Sequence, residues 1–140
     1  MSAKVLLIDD EADVRLYLGA ALEDHGYDVL LMEDSSRFLE TVRAERPDVI
    51  CLDLMMPVRT GFTLHRQLLE DPELRLIPTV LITGVPRAGE LVALELESLP
   101  GCGTDWQPAG ILEKPIQISE LLEMVGRAAR PSAGEDHGAA

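Results

Sequence analysis

Lysine is almost missing from this 140-residue chain: Lys4 and Lys114 are its only lysines, and its other ten basic residues are arginines. Basic charge as a whole is scarce, with 12 Lys and Arg against 25 Asp and Glu and a formal net charge of −13. A chain of this sign lacks the basic face that a phosphate backbone requires, which argues against direct nucleic-acid binding by this chain. It suits a divalent cation or a basic patch on a partner protein, and it also keeps a domain in solution. Aromatic residues make up only 4%, so the core must be built from Leu, Val, Ile and Ala. The two cysteines, Cys51 and Cys102, have no metal-ligand spacing. Without an export signal no disulfide is expected, and Cys51, inside an apolar run, reads as a core thiol. The three histidines, His25, His65 and His137, are scattered, which argues against a histidine metal site. No apolar run approaches membrane-spanning length, and Met1-Ser2-Ala3-Lys4 leads straight into a strand pattern rather than a signal peptide. The expectation is a cytoplasmic protein without membrane insertion.

What is present is alternation. Hydrophobic residues are 46% of the chain, enough for the core of one ordinary domain. Five short apolar runs read as strands: Val5–Ile8, Val29–Met32, Val49–Leu52, Thr79–Ile82 and Ile111-Leu112. Helical patterns lie between them. Val14, Leu18, Ala21 and Leu22 form one stripe, ended by Gly26 in the left-handed region. Phe38, Leu39 and Val42 form a second, with Asp34, Ser35 or Ser36 as its cap and Pro47 as its stop. Leu64, Leu68 and Leu69 form a third after Thr60-Gly61, Arg87–Leu99 a weaker fourth, and Ile118, Leu121, Leu122, Val125 and Ala129 a fifth. Residues 100–108 are a loop by composition. Residues 1–130 therefore read as one domain, and the small, polar residues 131–140 as a disordered tail or the start of a linker. Strict strand–helix alternation predicts an α/β fold, a doubly wound parallel sheet with right-handed crossovers and helices on both faces.

Ligands of such sheets gather at the carboxyl ends of the strands. Those ends carry Asp9-Asp10, Asp53, Thr83 and Lys114. Asp53 is the most telling, because a carboxylate that closes a buried strand needs partners or a task. One reading makes Asp9-Asp10 a helix cap with Glu11 in an acidic first turn. The other groups Asp9, Asp10 and Asp53 around a small hard cation such as Mg2+, which relieves their repulsion. In that case Asp53 can act as a nucleophile toward phosphorus. Lys114 supplies a point charge for the phosphoryl oxygens and Thr83 a hydroxyl donor, with Gly84 leaving space beside them.

The pieces Ile8-Asp9-Asp10-Glu11, Leu52-Asp53-Leu54-Met55-Met56-Pro57 with Gly61, Ile82-Thr83-Gly84 and Glu113-Lys114-Pro115 resemble the receiver domain of bacterial two-component response regulators. The resemblance covers residues 4 to 130. It implies a flavodoxin-like single domain with strand order 2-1-3-4-5 and five helices. It implies Asp53 as phosphoacceptor from a histidine kinase or a histidine phosphotransfer protein. Mg2+ would be held by Asp10, Asp53 and the backbone carbonyl of Met55, with Asp9 acting largely through water. Thr83 would be the switch hydroxyl, Lys114 the phosphoryl contact, and the Lys114-Pro115 bond cis. Phosphorylation would then reshape a face read by a downstream protein or by a second copy in a homodimer. Such a chain is a signalling receiver and not a turnover enzyme, and apolar Met55 and Val85 imply slow loss of its phosphoryl group. Ile111 stands where most receivers carry an aromatic residue, and Trp106 lies in a lengthened loop, as a partner contact, a substitute aromatic or a loop anchor.

Other readings stay open. The chain could dock a partner without phosphorylation, or be the receiver part of a longer regulator with a separate output domain. A Mg2+-dependent phosphohydrolase fits poorly, because its acid/base carboxylate two residues after the nucleophile is here Met55. No G-x-G-x-x-G follows the first strand, which argues against dinucleotide binding.

Overall fold

The computed structural model describes residues 3–33, 35–54, 61–84 and 109–129. Five strands are present: β1 Lys4–Ile8, β2 Asp28–Met32, β3 Val49–Asp53, β4 Thr79–Thr83 and β5 Gly110–Glu113. The helices are α1 Ala12–Asp24, α2 Phe38–Glu45, α3 Gly61–Glu70 and α4 Ile118–Ala129, with a single 3-10 turn at Leu74–Leu76. The strands are all parallel, in the order β2-β1-β3-β4-β5. This is the flavodoxin-like sheet expected from the alternation and the resemblance. Four helices are seen among the described residues, and the helix expected at Arg87–Leu99 lies outside them.

The apolar runs locate the strands because a parallel sheet covered on both faces needs apolar side chains at every position. β3 and β4 are buried throughout. Their alternate side chains feed two cores. Leu6, Ile8, Ile50, Leu52 and Leu81 meet Phe38 and Val42 of α2 and Leu64 and Leu68 of α3. Val5, Leu7, Val49, Cys51, Val80 and Ile82 meet Leu18 and Leu22 of α1 and Leu121 and Val125 of α4. Cys51 is a free thiol in this second core, and burial pushes its pKa up to about 12. Ile111, at the position where most receivers carry an aromatic residue, is half-buried against the first core.

Each strand outruns its apolar run. β3 takes in Asp53 and β4 takes in Thr83, because the ladder is made by backbone groups whatever the side chain: the Leu54 amide donates to the Ile82 carbonyl at 2.8 Å. Helix ends follow local chemistry. Gly26 (φ 87°) closes α1, with the Gly26 amide donating to the Glu23 carbonyl at 2.9 Å and the Tyr27 amide to the Leu22 carbonyl at 3.1 Å. α2 departs from expectation. Its cap position is Arg37, whose side chain makes no capping hydrogen bond, and the Ser35 backbone carbonyl accepts from the Phe38 amide at 3.2 Å. At its other end Arg46 takes the left-handed conformation (φ 50°) just before Pro47, which disfavours a helical predecessor.

Candidate functional site

The carboxyl ends of β1, β3, β4 and β5 bring four of the expected stations to one edge of the sheet. Register does this: Ile8 pairs with Leu52, Asp53 with Ile82, and Thr83 with Glu113. Lys114 then follows β5 directly, and its amide donates to the Thr83 carbonyl at 2.7 Å. The Lys114-Pro115 peptide bond is cis. Thr83 is buried at the end of β4. Among the described residues, a Cβ added to Gly84 would meet no atom within 4 Å.

Asp9 is held from three sides. Its amide donates to the Met32 carbonyl at 3.1 Å, its carbonyl accepts from Arg15 Nη1 at 2.7 Å, and its Oδ1 accepts from the Glu11 amide at 2.8 Å. That last bond spans two residues and lies outside the helix. The cap position of α1 is Glu11, which makes no side-chain capping bond, so the reading of Asp9-Asp10 as a helix cap is not realised. The remaining oxygen, Asp9 Oδ2, is buried and receives no hydrogen bond among the described residues. Lys114 Nζ stands 3.4 Å from it, 3.4 Å from Asp53 Oδ2 and 2.7 Å from Glu11 Oε1.

The charge balance is lopsided. Asp9, Asp10, Glu11 and Asp53 each place one oxygen within 4.8 Å of the others, and among the described residues Lys114 is the ammonium that contacts three of them. Asp9 and Asp53 are 0% and 1% exposed, so water does little to screen their repulsion. Burial alone would lower the lysine pKa. The hydrogen bond to Glu11 and the charges of Asp53, Asp9 and Glu11 outweigh it and raise the pKa, so Lys114 stays an ammonium. An all-oxygen cluster with a buried carboxylate oxygen that receives no hydrogen bond suits a hard divalent cation such as Mg2+, whose preferred ligands are oxygens.

Asp9, Asp10, Asp53 and Lys114 thus converge, and Thr83 lies at the adjoining strand end. Met55, Val85 and Trp106 lie outside the described residues. Two residues that sequence reasoning passed over contribute here. Glu11 is given no role in the sequence beyond a first-turn acid and the last residue of the Ile8–Glu11 piece, yet it makes the shortest contact to Lys114. Arg15 ties the Asp9 carbonyl and pairs with Glu33 at 3.6 Å, bracing the turn between β1 and α1. A lone arginine one turn into the first helix was the available signal for the second.

Residues 5–126 match the family model described as the response regulator receiver domain. Response regulator PleD of Caulobacter vibrioides (strain NA1000 / CB15N) is 44% identical over 126 residues, covering 89% of this chain and 26% of PleD. Response regulator MprA of Mycobacterium ulcerans (strain Agy99) is 33% identical over 140 residues, covering 100% of this chain and 56% of MprA. The chain therefore spans about a quarter of the one relative and about half of the other. Among solved structures, the chemotaxis response regulator CheY4 of Vibrio cholerae is similar at a TM-score of 0.75 and 27% identity, covering 91% of this chain and 99% of that one. The chain belongs to the response regulator receiver domain family.

Proposed function

We propose that this chain accepts a phosphoryl group on Asp53 and passes the resulting change to a protein-interaction face. The observation that carries this reading is the Asp53 carboxylate itself, 1% exposed at the end of β3, 3.4 Å from the Lys114 ammonium and grouped with Asp9 and Asp10. Phosphoryl transfer asks a protein for alignment and for neutralised oxygens more than for covalent help. An Asp53 oxygen attacks phosphorus in a phosphohistidine. The P–O bond forms as the P–N bond breaks, and the electron pair leaves with the imidazole nitrogen. The product is an acyl phosphate. Lys114 pairs with one phosphoryl oxygen as a point charge, and the Thr83 hydroxyl donates to another.

Asp9, Asp10 and Asp53, with the backbone carbonyl of Met55, are the residues that would hold Mg2+. When bound, that ion supplies charge neutralisation at the phosphoryl oxygens. The donor is a histidine kinase or a histidine phosphotransfer protein, and the recipient of the signal is a downstream protein or a second copy of the chain. The receiver unit spans residues 1–130 and residues 131–140 form a tail or linker, a division that the match over residues 5–126 supports. Among the described residues no helix is long and apolar enough to cross a membrane.

Acetyl phosphate tests the acceptor chemistry without a partner. Incubation of the chain with acetyl phosphate and Mg2+ is expected to add the mass of one phosphoryl group, and chelation with EDTA to prevent it. A chain that binds Mg2+ yet gains no mass under these conditions points to docking without phosphorylation.

A further inference from the structure

Glu11 supplies the closest of the three contacts to the Lys114 ammonium, at 2.7 Å against 3.4 Å for Asp9 and for Asp53. Exposure divides these partners. The side chains of Asp9 and Asp53 are 0% and 1% exposed and form the floor of the cluster, whereas Glu11 is 58% exposed and forms its rim. The ammonium therefore sits between an inner pair of carboxylates and an outer one. Its contact to Asp53 Oδ2 is a long hydrogen bond at 3.4 Å and its contact to Asp9 Oδ2 falls short of one, against 2.7 Å to Glu11, so its hold on the floor is the looser one.

A divalent cation coordinated by the floor oxygens meets this ammonium at close range. Two positive charges a few ångströms apart repel, most strongly where water is scarce. The ammonium must release Asp9 and Asp53 without being stranded, and a carboxylate at the rim gives it a partner. Glu11 is fixed for the purpose: its amide is anchored to Asp9 Oδ1 at 2.8 Å, just ahead of the first turn of α1. We propose that Glu11 is a positioning residue that draws the Lys114 ammonium to the rim and so clears the acidic floor for a divalent cation. This rests on the reading of Asp9, Asp10 and Asp53 as the Mg2+ site. Without the Glu11 charge, Lys114 settles onto Asp9 and Asp53 and the cation must displace it. With Lys114 already gone, Glu11 has nothing to draw.

The test is calorimetric titration of Mg2+ into the whole chain, comparing native protein, Glu11→Gln, Lys114→Met and the double variant, with Lys114→Gln as a second choice if Lys114→Met folds poorly. Glu11→Gln is expected to weaken Mg2+ binding about fivefold where Lys114 is present, and by less than about twofold where it is absent. An equal loss in both backgrounds would make Glu11 a ligand or a simple charge and would overturn the proposal, as would no loss with Lys114 present. Both of these outcomes leave the Mg2+ site standing. A native chain that takes up no Mg2+ overturns the proposal and the metal site together.

Discussion

Replacing Lys114 with methionine should destabilise the metal-free protein at neutral pH by about 2–3 kcal/mol, and added Mg2+ should restore most of that loss. The reason lies in what the ammonium touches. Asp9 and Asp53 are 0% and 1% exposed, and Lys114 is 3.4 Å from each. Removing one partner of a buried ion pair leaves the other charge stranded, which typically costs about 3–5 kcal/mol. The side chain of Lys114 is 20% exposed, so solvent already screens part of the pair and the cost falls at or just below the lower end of that range. Mg2+ rescues because a ligand that binds only the folded state stabilises it by mass action. Urea unfolding with and without Mg2+ measures both effects. An unchanged midpoint in the metal-free variant would mean that the carboxylates are neutralised by some other group.

Acidification from about pH 7 to about pH 5 should remove about 2 kcal/mol of stability from the native protein through His65 alone. His65 lies on α3 at 0% exposure, and burial pushes its pKa down to about 4 from an ordinary value near 6.5. The direction follows from proton uptake. Below about 6.5 the unfolded chain binds a proton at this histidine, while the folded chain stays neutral until about 4. The unfolded state therefore gains across that window, and stability falls with pH until the folded state also protonates. A His65→Leu variant removes the step, so the difference in unfolding free energy between native protein and variant should shift by about this amount over the window. A constant difference would place the histidine in contact with water or with an acid that keeps its pKa ordinary.

The sequence was most legible where side chains must satisfy the sheet. Val49-Ile50-Cys51-Leu52 could be recognised as a strand because both of its faces are covered, and that located Asp53 at a strand end. The convergence of Asp9, Asp10, Asp53 and Lys114 followed from strand alternation together with the rule that places ligands at strand ends. What stayed hidden depends on backbone groups or on pairs far apart in the chain. The last residues of β3, β4 and β5 were missed because ladder hydrogen bonds continue past the apolar run, as the bond from the Leu54 amide to the Ile82 carbonyl illustrates. The cap of α2 was misplaced because Asp34, Ser35 and Ser36 all suit a cap, while the chain starts the helix after Arg37. The Glu11–Lys114 pair joins residues 103 positions apart, and no periodicity encodes such a contact. Arg15 was overlooked because its partner is a carbonyl, and every residue has one.

The central claim is that Asp53, and no other carboxylate of the cluster, takes the phosphoryl group. Its most direct test is borohydride trapping after incubation with acetyl phosphate and Mg2+, followed by peptide mass mapping of the native chain and of Asp53→Asn. Reduction of the acyl phosphate should mark Asp53 in the native chain and leave Asp53→Asn unmarked. A mark on Asp9 or Asp10, or one that persists in Asp53→Asn, would contradict it.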